Sequence, residues 1–223
     1  MSYVKSSITN AGGAVKPIAL TEWNINAEGS MQKVSFISGM FAAMVFGEAL
    51  KYNYGQTSRW DLANGWGSGN DHGLFNIGDE PGVPLWNPRP AFYYMYFFQK
   101  MIGDRLLNTA VSGAGAVNIL AYASSFTSGE KGVVLVNKVN AQQTVSVSLK
   151  NATAGAHFYF YTLTGGTDNG EFSRKVFVNG VGSTQASGGP STYTSIKPYS
   201  ATTQNGIQLT LPARSVVYMV IDK

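Results

Sequence analysis

The rhythm of apolar and polar positions changes near Gly103 and Asp104. Before this point apolar residues recur at helical spacing in two long segments; beyond it they alternate in short runs separated by Gly, Asn and Ser. Residues 16–21, Lys-Pro-Ile-Ala-Leu-Thr, form a short apolar run that predicts a buried strand leading to Glu22. Ser30 is placed to cap a helix over 31–51, where Val34, Ile37, Phe41, Met44 and Val45 share a face. Residues 56–62 predict a second strand, followed by a long polar loop over 63–88. Pro90 suits the first turn of a helix over 91–102, with Gly103 as its stop. The order is that of two consecutive βα units.

From Arg105 onward the period approaches two. Strands are expected over 118–123, 132–137, 144–149, 157–162, 206–211 and 215–221, at the spacing of an antiparallel β-sandwich. The Gly-, Ser- and Thr-rich stretch 165–203 reads as a decorated loop with one strand at 175–179. The predicted fold class is therefore α/β plus all-β, with a partial barrel segment over 1–104 and a β-sandwich over 105–223. Two βα units do not close a barrel and leave strand edges bare. The chain is expected to be a fragment of a larger protein, to pair with another chain, or to cover those edges with the sandwich.

Composition narrows the chemistry. With 44% hydrophobic and 13% charged residues, the 223-residue chain reads as neither disordered nor a coiled coil, and the absence of Cys excludes thiol chemistry and disulfides. The net charge of +4 is unevenly spread. Residues 1–104 carry seven basic and eight acidic side chains, and 105–223 carry nine and four. The basic residues stand singly rather than in a phosphate-tracking cluster, so no nucleic-acid partner is expected. The apolar runs at 40–46 and 92–98 are short of a bilayer span, so no membrane partner is expected, and the first residues lack the apolar core of a secretory signal.

Glu22 is the leading candidate for chemistry, a carboxylate at the end of an apolar strand and followed by Trp23 and Asn24. Capping the next segment or pairing with a Lys is its other reading. Trp23, Trp60 and Trp66, with Asn24, Asp61, Asn64, Asn70, Asp71 and His72, supply the rings and polar groups that a sugar's apolar face and hydroxyl rim require. Trp66 and Trp86 have an equal claim to pinning the long loop. Asp168-Asn-Gly-Glu171 reads as a turn rather than a calcium loop, and Tyr93, Tyr94, Tyr96 and Phe97 as a packing stripe. No spaced ligand set for a metal and no phosphate loop is present, so no cofactor is expected.

The ordered set Lys16-Pro-Ile-Ala-Leu-Thr-Glu-Trp-Asn24, a helix, the Trp60-Asp-Leu strand end, the Arg89-Pro-Ala-Phe-Tyr-Tyr helix and a sandwich ending Leu211-Pro-Ala-Arg-Ser-Val-Val217 resembles a known family. It looks like the C-terminal part of clan A (β/α)8-barrel retaining glycoside hydrolases, in particular the arabinofuranosidase, xylosidase and agarase-like branches. The resemblance implies that residues 1–104 hold strands seven and eight and that Glu22 is the nucleophile. It also makes Trp60 a subsite platform and implies a secreted or periplasmic parent enzyme. Retaining hydrolysis uses two carboxyl groups about 5–5.5 Å apart. The clan's acid is a Glu at the end of strand four, usually preceded by Asn, and no Asn-Glu dipeptide occurs here. Glu28, Asp61 and Asp71 are the other carboxylates expected near the same mouth. The implied partners are an oligo- or polysaccharide and either the missing barrel half or a second copy of the chain. Without them the expectation is little or no hydrolysis. The competing expectation is a carbohydrate-binding or structural β-sandwich module without catalysis.

Overall fold

The computed structural model describes residues 1–223. In chain order the elements are α1 (Ser2–Asn10), β1 (Ala19–Trp23), α2 (Phe36–Lys51), β2 (Gln56–Arg59), β3 (Ala63–Asn64), β4 (Phe75–Asn76) and α3 (Pro90–Met101). They continue with β5 (Arg105–Leu107), β6 (Ile119–Ser125), β7 (Lys131–Asn137), β8 (Gln143–Val147), β9 (His157–Gly165), β10 (Val176–Val178), β11 (Tyr199–Thr202), β12 (Ile207–Leu211) and β13 (Ser215–Ile221). The fold is mixed α/β, with one large sheet and few helices.

The large sheet has seven strands, all antiparallel, in the order β10-β9-β13-β7-β6-β5, with β11 sharing the outer edge of β9. Its central strands are apolar on both faces because both faces are covered. On one side Tyr122, Val134, Val136, Leu163, Val216 and Tyr218 meet Phe36, Met40, Ala43, Tyr94 and Phe97 of α2 and α3. On the other side Val133, Leu135, Val217, Met219 and Ile221 meet Ile207, Leu209 and Leu211 of a β8–β12 ribbon. The first of these cores joins side chains from both sides of residue 104.

Helix α2 lies close enough to the sheet that a Cβ on Gly47 would sit 2.2 Å from the Tyr122 ring. Glycine there makes the approach possible. The helix begins later than the Ser30 reading predicts. Ser30 Oγ donates to the Ala27 carbonyl, residues 32–34 form a 3-10 turn, and Ser35, in an extended conformation, caps α2 by accepting from the Ile37 amide at 3.2 Å. Pro90 opens α3 as expected, but Ile102 has already left the helix before Gly103. Gly103 serves a close approach instead: its amide donates to Ser124 Oγ at 2.7 Å, and a Cβ would lie 2.5 Å from the Ser125 carbonyl oxygen.

Strands β1 and β2 form a separate two-stranded parallel sheet. No other strand pairs with either of its edges. Helix α1 buries none of its residues. No helix is long and apolar enough to cross a membrane.

Candidate functional site

The C-terminal ends of β1 and β2 hold the predicted residues in a defined arrangement. The parallel ladder pairs Leu20 with Thr57 and Trp23 with Arg59, so β1 spends one residue more than β2 over the same interval. That extra residue falls at Thr21 and Glu22, a local bulge of the kind that re-aims a side chain. Trp23 turns into the helical layer, edge-on to Phe41 and Phe46 at centroid distances of 6.0 and 5.6 Å. Arg59 turns the same way, with Nη2 3.5 Å from Ser38 Oγ of α2. By the alternation of extended chain, their neighbours Glu22 and Trp60 project from the opposite face, which no element covers. Both are exposed, Trp60 to 48%, and the Trp60 amide donates to the Trp23 carbonyl at 2.9 Å. Glu22 takes part in no ion pair.

The carbonyl oxygen of His72 stitches these strand ends to the long loop. It accepts from Arg59 Nη1 at 2.7 Å, from Asn24 Nδ2 at 3.2 Å and from the Asp61 amide at 3.4 Å. Asn24 Nδ2 also donates to the Trp60 carbonyl. Burial lowers the Arg59 pKa to about 10, which leaves the guanidinium charged near neutrality. The His72 imidazole is held below its ordinary value, first by burial and next by the nearby Lys33 charge. Asp61 is half-buried, and its Oδ1 is sealed from water without a hydrogen-bond partner.

Asp71 and Trp23 occupy different places from those expected of substrate contacts. The Asp71 side chain is 0% exposed and pairs directly with Arg89, itself 1% exposed. Arg89 Nε also donates to Glu80 Oε2 at 2.9 Å, and Arg174 reaches Glu80 Oε1 at 2.6 Å. Two carboxylates and two guanidinium groups thus form a buried chain that fastens the loop before α3 to the segment before β10. Burial outweighs the Arg89 charge and raises the Asp71 pKa to about 6. Trp23 is similarly packed inside, against α2. A carboxylate in a polar loop and an indole at a strand end give the same sequence signal whether they face a ligand or the protein's own interior.

Asn64 is exposed and its Oδ1 accepts from the Gly65 amide. The Trp66 ring lies under the Arg174 guanidinium at 5.0 Å, and its backbone amide donates to Asp79 Oδ2. Trp66 is therefore a pin for the loop. Glu28 is exposed on the β1–α2 connection. Sequence reasoning passed over Arg59, Arg89, Glu80 and Arg174. The one local signal was a charged residue directly before a landmark, Arg59 before Trp60 and Arg89 before Pro90. Two concavities of about 90 and 160 Å³ lie beside Leu106 and Tyr122 and beside Arg105 and Phe126, away from Glu22. No group of three or more His, Asp or Glu side chains is arranged to hold a metal ion.

Against solved structures, the chain superposes on an α-L-arabinofuranosidase from Thermotoga maritima in complex with arabinose, with a TM-score of 0.66 and 15% identity over 98% of this chain. A family GH51 α-L-arabinofuranosidase from Thermotoga petrophila gives 0.63 at 15% over 92%. A GH30 subfamily 8 xylanase from Clostridium acetobutylicum gives 0.56 at 17% over 96%. The fold is glycoside hydrolase-like. The chain spans 45%, 43% and 44% of those three proteins, less than half of each. No protein-family model matches the chain, and no curated protein matches its sequence.

Proposed function

We propose that the chain is the nucleophile-bearing, C-terminal portion of a retaining glycoside hydrolase that acts on an oligo- or polysaccharide. Residues 1–104 supply strands seven and eight of a (β/α)8 barrel with their helices, and residues 105–223 form its β-sandwich. The observation that carries this reading is the shared bare face of Glu22 and Trp60 at the C-terminal ends of adjacent parallel strands, where barrel enzymes place their chemistry. The unpaired edges of β1 and β2 and the partial coverage of the hydrolase structures support a partner that completes the barrel, either its missing half or a second copy.

In this reading a Glu22 carboxylate oxygen attacks the anomeric carbon as the bond to the leaving oxygen breaks. A general acid on the completing polypeptide protonates that oxygen. Water then cleaves the glycosyl ester, restoring the carboxylate and releasing the sugar. Asn24 and Arg59 act as positioning residues, holding the Glu22 strand end through the His72 carbonyl. Trp60 offers its ring to the sugar's apolar face.

The test removes the need for the general acid. Purified chain is incubated with 2,4-dinitrophenyl 2-deoxy-2-fluoro glycosides of the arabinofuranosyl and xylopyranosyl series, whose leaving group departs unprotonated, and then digested and weighed by mass spectrometry. The expected result is a fluoroglycosyl label on the peptide containing Glu22 and none on Glu22→Gln. A label on another carboxylate overturns the assignment of Glu22, and an unlabelled wild type overturns it in favour of a binding module.

A further inference from the structure

Residues 76–88 form a loop braced from below and apolar on top. Three short segments lie side by side: Asn64 pairs with Asn76 in parallel, and Phe75 pairs antiparallel with Pro88. Beneath, Asn76 is fully buried and uses both ends of its amide. Nδ2 donates to the carbonyls of Val83 at 3.2 Å and Pro84 at 2.6 Å, while Oδ1 accepts from the amides of Gly78 at 2.8 Å and Glu80 at 3.4 Å. Glu80 is gripped in turn by Arg89 and Arg174, and Val83 is buried.

On the outer side Ile77, Leu85 and Trp86 are 43%, 56% and 59% exposed. Trp86 has a backbone φ of +63°, a region that bulky side chains rarely adopt, and it is fixed there by its amide donating to the Asn76 carbonyl at 2.8 Å. The chain thus stores strain to hold out an indole that adds little to its own packing, a pattern that gathers at ligand contacts. An exposed indole in one loop with two exposed aliphatic side chains offers apolar surface open to water, the complement of a pyranose with its C–H face down and hydroxyls outward. The ladder joins this surface to the other site. The Leu74 amide donates to the Asp61 carbonyl, the Phe75 amide to that of Leu62, and the Asn76 amide to that of Asn87, at 3.0, 3.0 and 3.1 Å.

We propose that Trp86, with Leu85 and Ile77, is a second saccharide platform, which binds a pyranose-containing polysaccharide through residues other than Glu22 and Trp60. It rests on the carbohydrate reading of this protein but not on catalysis by Glu22, so the two fail separately. A polymer, rather than a single sugar, is the fitting ligand because the platform lies on the same loop system that starts at Trp60.

The test is affinity electrophoresis of the whole chain in native gels containing soluble arabinoxylan or xyloglucan, with tryptophan fluorescence as a second readout. Wild type is expected to be retarded by at least one polymer. Trp86→Ala weakens binding at least about tenfold, a loss of about 1.4 kcal/mol, whereas Trp86→Phe stays within about twofold. Trp86→Gly, which suits the positive φ, guards against a folding artefact and is expected to behave like Trp86→Ala. Equal retardation of Trp86→Ala and wild type overturns the proposal. So does a wild type that neither polymer retards or quenches, or a dimer by light scattering that Trp86→Ala converts to monomer.

Discussion

Strands β7 and β13 and strands β1 and β2 are built from comparably short runs of sequence, yet they live in different environments. Every residue of β7 from Gly132 to Asn137 is buried, because alternate side chains meet the helices on one face and the β8–β12 ribbon on the other. In β1 only Trp23 is buried, and in β2 no residue is. Burial is concentrated where both faces are covered, and the exposed candidate residues Glu22 and Trp60 stand where one face is left open. The buried Asp71–Arg89–Glu80–Arg174 chain mediates between the two, since it ties the loop carrying His72 to the segment that enters the large sheet at β10.

The largest way to break this division is to remove its fastening. Arg89→Met leaves Asp71 and Glu80 buried with their main cation gone, and a loss of about 3–5 kcal/mol is expected in urea denaturation. Acidity probes the same chain with a defined sign. Asp71 has a folded pKa of about 6, above the unfolded carboxyl value of about 3.9, so the folded protein holds more protons between these values. The contribution of Asp71 is therefore greatest below about pH 4 and falls as pH rises through 6, by about 3 kcal/mol in all. Thermal melts of wild type and Asp71→Asn across that window are expected to differ in slope, with the variant flatter. A smaller effect is expected where α2 meets the sheet. Gly47→Ala pushes a methyl group into the Tyr122 ring and costs about 1–3 kcal/mol by denaturant titration. The smallest is expected in the open pair, where Leu20→Ala shifts global stability by less than about 1 kcal/mol. Hydrogen exchange sharpens the contrast: amides of β1 should exchange well before those of β7 and β13, and equal protection would contradict the partition.

Much of the large sheet was legible because its strands announce themselves by composition. The run 215–221 is Val- and Ile-rich and bounded by Arg214 and Asp222, and it matches β13 residue for residue. Strands β5 and β11 were missed because all their residues are exposed, so no apolar alternation marks them. Ser30 and Ser35 offer equivalent caps to a reader of sequence. The choice falls to Ser35 because the preceding turn places its hydroxyl within reach of the Ile37 amide. At the candidate site the strand ends were legible, but the facing of each side chain was not. A single extra residue in β1 decides that Trp23 points in and Glu22 out, and pairing register across two strands is not visible in either one.

The core shared by α2, α3 and the large sheet has a consequence for anyone recombining this protein with others. A sheet module cut at residue 105 would bare Tyr122, Val134, Val136, Leu163, Val216 and Tyr218, and the Tyr218 hydroxyl would lose the Tyr94 carbonyl to which it donates at 2.8 Å. The transplantable piece therefore starts upstream of Phe36. Grafts that respect that seam should inherit the two helices as part of the module, and with them the loop that displays Trp86.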